Sequence, residues 1–215
     1  MLYRGTIYLL GMLVNFFGVA LLIRATLGAG FWTALFAGLS DTFGFTVGFW
    51  YAIAQFVFIF ANAALMKQPP EIRAIVPLVL ESLILDFWLE IVFGSLNLST
   101  APFAVQVLFM ITGVTLSAVG VAIYILPQLP RAPVDQLFLA ISGRFNISLR
   151  LSQTLIASTT STSAFFIGGP VGLGTMAGVL FVGPIIQFMY TRFYPIYYLL
   201  HPNYQARYEL AEASE

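Results

Sequence analysis

Hydrophobic positions along the chain fall into long unbroken blocks separated by short polar or Gly/Pro-rich breaks. The alternation of a half-buried strand and the one-sided stripe of a surface helix are both absent, which leaves helices surrounded by apolar material. A helix needs about 20 mostly apolar residues to cross about 30 Å of hydrocarbon. Six blocks reach that length, at 6–23, 47–66, 74–93, 103–126, 149–167 and 173–194. Two shorter apolar segments, 31–43 and 133–145, are about a dozen residues each, a length that suits a re-entrant or an interfacial helix. The expected fold is an all-α integral membrane protein of six transmembrane helices plus two short helices, forming one membrane domain over 1–215. The first block follows Met-Leu-Tyr-Arg as a signal peptide would. It is long for that role and no clear A-x-A site follows, so it is expected to stay as a span.

Composition sharpens this picture. The 215 residues are 60% hydrophobic and 8% charged, against about 25% charged in soluble domains, and mean hydropathy is +0.92. Nine basic and nine acidic residues leave no cationic excess for nucleic acid. The absence of cysteine removes disulfides, thiolate metal sites and thiol nucleophiles, and the single histidine, His201, is too isolated to anchor a metal cluster or a catalytic triad. An enzyme, a resident metal and a cofactor are therefore not expected.

The few charges also predict topology, because cytoplasmic loops near span ends carry the excess of Lys and Arg. With six crossings Arg4, Lys67, Arg73, Arg131, Arg144, Arg150, Arg192 and Arg207 share one side, and Arg24 alone falls opposite. If both short segments crossed, that segregation would break. The expectation is six spans in a bacterial inner membrane with both termini cytoplasmic. Tyr197, Tyr198, Tyr204 and Tyr208 then form an inner aromatic belt ahead of a short tail, 201–215.

The chain also resembles itself. A shift of 102 positions aligns Gly18-Val19-Ala20 with Gly120-Val121-Ala122, Ile23 with Ile125, Leu27 with Leu129, Leu35-Phe36 with Leu137-Phe138, Ser40 with Ser142 and Phe43 with Phe145. A shift of 101 then pairs Pro69 with Pro170 and Phe87 with Phe188. The two copies, 1–98 and 99–200, each read long, short, long, long. Three crossings per copy force the second to run inverted, the plan of many transporters, whose interrupted short segments mark the solute site.

Several residues are candidates for that site. Glu81, Asp86 and Glu90 lie in the third block, where a charge costs about 2.5–3.5 kcal/mol unless a partner or water receives it. Glu81 and Asp86 bracket the expected midplane as a coupling-ion or solute site; the alternative is an ion pair with Arg24 or Arg131, with Glu90 reaching to the surface. Arg131, Asp135 and Gln136 open the second short segment, where Asp135 serves either the helix N-terminus or a solute. Gln153, Thr154 and the run Ser158-Thr159-Thr160-Ser161-Thr162-Ser163 encircle the fifth block, for close packing or for a polar path. Gly174-x-x-x-Gly178 at the start of the last block, beside Thr175, suits close helix approach rather than a phosphate cradle, since no Lys follows.

Three motifs, Gly18-x-x-Leu21 with Leu27-Gly28-x-Gly30-Phe31-Trp32, then Pro133-Val134-Asp135-Gln136-Leu137, then Gly168-Gly169-Pro170-Val171-Gly172-Leu173-Gly174-Thr175 ending in Gly183-Pro184, resemble the YczE/YitT group of bacterial integral membrane proteins. The resemblance covers most of the chain and implies a polytopic bacterial inner-membrane protein. Where that group usually reads Gly-Pro-Trp-Asp, the first copy here reads Gly30-Phe31-Trp32-Thr33, so only the second copy keeps the acid, as Asp135. The expected activity is a small-solute secondary transporter or permease with a midplane site built around Asp86, Glu81, Asp135, Arg131, Gln153, Ser158 and Thr175. The alternative is a non-transporting scaffold, or an accessory or substrate-binding subunit of a larger transport or biosynthetic assembly. Expected partners are the lipid bilayer, a small molecule or ion, and a second copy or another membrane protein.

Overall fold

A computed structural model describes residues 2–201; Tyr204, Arg207 and Tyr208 and most of the expected tail lie outside the described residues. The described chain is a bundle of eight helices: α1 (Leu2–Arg24), α2 (Phe31–Phe43), α3 (Val47–Met66), α4 (Ile75–Asp86), α5 (Phe103–Tyr124), α6 (Pro133–Phe145), α7 (Leu149–Ile167) and α8 (Leu173–Leu199). A short 3₁₀ turn, Ile72–Ala74, leads into α4, and a π-helical turn, Phe87–Val92, continues it. The two short helices have the bounds expected from sequence. Gly30 and Gly44 bracket α2, while Pro133 starts α6 and Asn146 ends it in the left-handed conformation.

Four helices, α1, α3, α5 and α8, are long and apolar enough to cross a membrane. The other two expected spans form helices but fall short of that standard, for separate reasons. Helix α4 is 12 residues long before it passes into the π turn, and the stretch carries three carboxylates. Helix α7 has 19 residues, long enough, and its hydroxyl run makes it too polar.

The core is organised around α1 and α5. Their contacts run antiparallel: a Cβ on Gly11 would overlap Tyr124, one on Gly18 would overlap Ser117, and one on Gly113 would overlap Leu22. Glycine is what lets these backbones touch, since no hydrophobic force drives helices together in lipid and close packing must do so. Asn15 and Ser117 join the two helices by a 2.8 Å side-chain bond. Around this pair, α2 packs on α7 and α6 packs on α3, while α4 packs on α3 and α8 on α5. Exposed Leu, Ile and Phe side chains cover much of the outside, among them Phe166 and Ile91, as lipid contact requires and water would not favour.

Candidate functional site

A cavity of about 190 Å³ lies where the helices converge, well above the about 10–15 Å³ that a single water needs. The starts of both short helices reach it, Gly30 to Thr33 at α2 and Ala132, Val134 and Asp135 at α6. Asn15 and Ser117 of the α1–α5 pair, Glu81 of α4, Tyr51 of α3, Tyr124 of α5 and Val182 of α8 complete the functional part of its wall.

Glu81 is 2% exposed. Its Oε2 accepts bonds from the Tyr51 hydroxyl at 3.1 Å and the Gln55 amide at 2.8 Å. Gln55 is itself fully buried, and its carbonyl faces the Val134 amide at the start of α6. Asn62, one α3 face further on, donates to the Pro133 carbonyl at 2.8 Å. Helix α3 thus holds α6 by its backbone and Glu81 by its side chains. Ordering both from one helix keeps the second short helix in register with the carboxylate.

Asp135 lies in the first turn of α6, whose N-cap residue, Ala132, has no side-chain cap bond to offer. Its Oδ2 accepts the Tyr124 hydroxyl at 2.7 Å. Asp135 and Tyr124 also border a second hollow of about 660 Å³, shared with Tyr8, Gln128, Arg131 and Gln153. The Asp135–Tyr124 pair therefore stands between two cavities.

The sequence candidates separate into four places. Glu81 and Asp135 share the central cavity. Arg131 and Gln153 join Asp135 around the second hollow. Ser158 and Thr175 line a groove of about 440 Å³ between α7 and α8, where Thr175 donates to the Ala29 carbonyl at 2.6 Å. Asp86 is elsewhere. Its two oxygens accept the Thr46 hydroxyl at 2.6 Å and the Gly48 amide at 2.7 Å, so that it closes the N-terminus of α3.

The ion pairs weighed for Asp86 take another form. Arg24 donates instead to the Leu89 carbonyl, at 2.7 Å, where the π turn leaves backbone acceptors free. Glu90 is exposed on the same turn. Of the hydroxyl run, Thr159 and Ser163 bond back to α7 carbonyls and Thr160 is buried, while Ser158, Ser161 and Thr162 face the groove. In the Gly174-x-x-x-Gly178 pair, only Gly174 meets another backbone, that of Gly28; a Cβ on Gly178 would meet open space beside the cavity.

Sequence reasoning missed Asn15, Tyr51, Gln55, Ser117 and Tyr124. One signal was available: Asn15 and Ser117 lie 102 positions apart, the shift at which the sequence aligns with itself, and bond to each other.

The chain is 28% identical over 180 residues to the uncharacterized protein YyaS of Bacillus subtilis strain 168, covering 84% of this chain and 89% of that one. It is 27% identical over 186 residues to the uncharacterized membrane protein YczE of the same organism, covering 86% and 84%. An uncharacterized protein of Haemophilus influenzae is 28% identical over 171 residues, covering 80% and 76%. No solved structure matches the chain. The model of the family of unknown function DUF6198 matches residues 2–191, so this membrane protein belongs to that family.

Proposed function

We propose that the chain is a small-solute secondary transporter or permease of the bacterial inner membrane, with six crossings, two re-entrant helices and both termini cytoplasmic. The observation that carries this reading is that the first turns of α2 and α6 line one central cavity. Interrupted helices that present their N-termini to a shared midplane cavity are the usual architecture of transporter sites.

Reciprocal contacts support an inverted repeat. Gly11 meets Tyr124 as Gly113 meets Leu22, and Gly18 meets Ser117 as Gly120 meets Asn15, each a contact and its counterpart about a twofold axis. The α2–α7 contact is likewise matched by α3–α6. Because α1 and α5 are antiparallel counterparts, the two copies run through the membrane in opposite senses. Re-entry is supported by where each short helix ends. Helix α6 starts at the cavity and ends with Gly143 and Arg144 beside Lys67, while α2 starts at the cavity and ends with Thr42 on the Ile167 carbonyl.

Reconstitution into liposomes with an internal pH dye and a panel of small solutes tests the reading; movement of a solute or of protons above empty liposomes is expected, and none across the panel overturns it. The chain has no cysteine of its own, so Ser99→Cys and Lys67→Cys report topology directly. An impermeant thiol reagent should label the first only from outside and the second only from inside, and the reverse at either site breaks the six-crossing arrangement.

A second reading, an accessory subunit of a larger membrane assembly, draws on the open groove between α7 and α8, where exposed Ser158 and Thr162 face Met176 and Val179. Hydroxyl and small residues of this kind suit a partner helix. A protein that co-purifies stoichiometrically and is lost in Thr162→Trp would favour it.

A further inference from the structure

We infer that the central cavity is a binding site for a small organic ammonium ion, with Glu81 as its counter-charge; this rests on reading the cavity as a solute site and adds the class of solute.

The cavity wall carries two ionisable acids, Glu81 and Asp135, and no Lys, Arg or His. No ion pair joins either acid to a basic side chain among the described residues; Arg131 lies near Asp135 on the side of the second hollow, whereas no basic side chain lines the wall beside Glu81. Their hydrogen bonds are also one-sided. Tyr51 and Gln55 both bond to Oε2 of Glu81, leaving Oε1 without a protein donor, although the residue is 2% exposed. Tyr124 bonds to Oδ2 of Asp135, leaving Oδ1 in the same condition. An ionised carboxylate accepts about four hydrogen bonds, and a buried charge that lacks them is costly. Glu81 borders the central cavity, which gives its unused oxygen room for a partner. A cation placed there supplies the missing charge, and a primary to tertiary ammonium ion supplies N–H donors as well.

The rest of the wall decides which cation. Aromatic side chains of Phe16, Phe31, Trp32, Tyr51 and Tyr124 surround the two acids. A metal ion such as calcium takes six to eight oxygen ligands, and among the described residues no three acidic, His or Cys side chains gather to begin such a set. Aromatic faces instead attract an alkylammonium head, which carries a diffuse charge and an apolar surface. Its alkyl groups meet the rings while its charge meets Glu81. Neutral and anionic solutes gain nothing from the carboxylates and lose by desolvating them.

The test uses the purified full chain in dodecyl maltoside, which carries no ammonium group. Binding is read from tryptophan fluorescence, to which Trp32 on the wall contributes, and from thermal shift. The probes are choline, tetramethylammonium and methylammonium, with 3,3-dimethylbutan-1-ol as the uncharged isostere of choline. At least one ammonium probe should give a saturable response, with choline bound at least tenfold more tightly than its isostere if choline is that probe. Glu81→Gln, which keeps the size of the side chain, should weaken binding at least tenfold.

Equal response to the charged and uncharged forms overturns the inference, as does no response to any ammonium probe or wild-type affinity in Glu81→Gln. Should Glu81→Gln fail to fold, the comparison of charged and uncharged probes on the wild-type chain decides alone. The two readings fail separately. Ammonium binding without movement in liposomes removes the transporter and keeps the site, whereas transport of a solute that no ammonium ion inhibits removes this site and keeps the transporter.

Discussion

The last two helices of residues 1–98 and of residues 99–200, the first and second copy by the sequence shift that aligns them, are held differently. In the first copy α3 and α4 are closed on one another. Thr46 caps α3 and donates to Asp86, Gly48 admits the Asp86 carboxylate where any side chain would collide with it, and Glu81 is bound by Tyr51 and Gln55 five residues earlier along α4. In the second copy Ser148 caps α7 just as Thr46 caps α3. Beyond that cap the parallel ends. Gly48 is matched by Arg150, Asp86 by Gln187 and Glu81 by Val182, so no carboxylate ties the counterpart helices, and a groove of about 440 Å³ lies between α7 and α8. Helix α8 docks elsewhere, with its start on the loop after α1 through Gly174 and Thr175. Two carboxylates thus tie α3 to α4 in the first half, while in the second α8 rests mainly on α5, with Tyr3 of α1 bonded to the Tyr197 carbonyl near its end. In a solute carrier, such inequality between repeats lets one element move against a fixed frame.

Cutting the Asp86 tie should have the largest effect. Asp86→Ala removes two charge-assisted bonds and orphans the first amides of α3, and is expected to cost about 2–3 kcal/mol. Asp86→Asn, which keeps one acceptor for Gly48, should recover part of it. Thermal unfolding in detergent measures both. A loss below about 0.5 kcal/mol for the alanine variant would mean that the first copy is not held by this contact. This differs from a midplane coupling role, under which Asp86→Asn would abolish transport without affecting stability.

The next effect separates the two caps. Thr46→Ala removes a cap and the bond to Asp86, and is expected to cost about 1–2 kcal/mol, while Ser148→Ala removes a cap alone and is expected to cost about half as much. Equal losses in unfolding measurements would erase the distinction between the copies at this position.

Much of this was legible along the chain. Blocks of apolar residues with Gly and Pro breaks are local signals, and they set the bounds of α2 and α6 to the residue. Glu81 and Asp135 stood out because charge in an apolar setting is rare, and both are on the cavity wall. The function of Asp86 was not legible, because its partners lie 38 and 40 positions away and only the folded backbone brings the start of α3 to the middle of the α4 segment. Tyr51, Gln55 and Tyr124 were hidden for another reason. Neutral polar and aromatic side chains are ordinary in membrane helices, and only the contact with a carboxylate gives them a role. Ser158, read as packing or as part of a polar path, and Thr175, beside the glycine pair of the last block, line a groove that opens on a different side of α8 from Val182 and Gly178, which border the cavity.

The smallest expected effect falls on that groove, and it bears most directly on the comparison. Ser158 and Thr162 are exposed, and neither makes a hydrogen bond that holds α7 to α8 among the described residues. Ser158→Leu and Thr162→Leu should therefore change stability by less than about 0.5 kcal/mol. The same apolar substitution at Ser82, which is buried beside Gly48 at the α3–α4 contact, should be clearly destabilising. If the α7 substitutions instead destabilise as much as Ser82→Leu, the groove is closed by packing that lipid cannot replace, and the second copy is as rigid as the first. If they are silent in stability yet slow solute movement in liposomes, the groove bears on transport, either as a polar path that the larger side chain narrows or as the place where α7 and α8 move against each other.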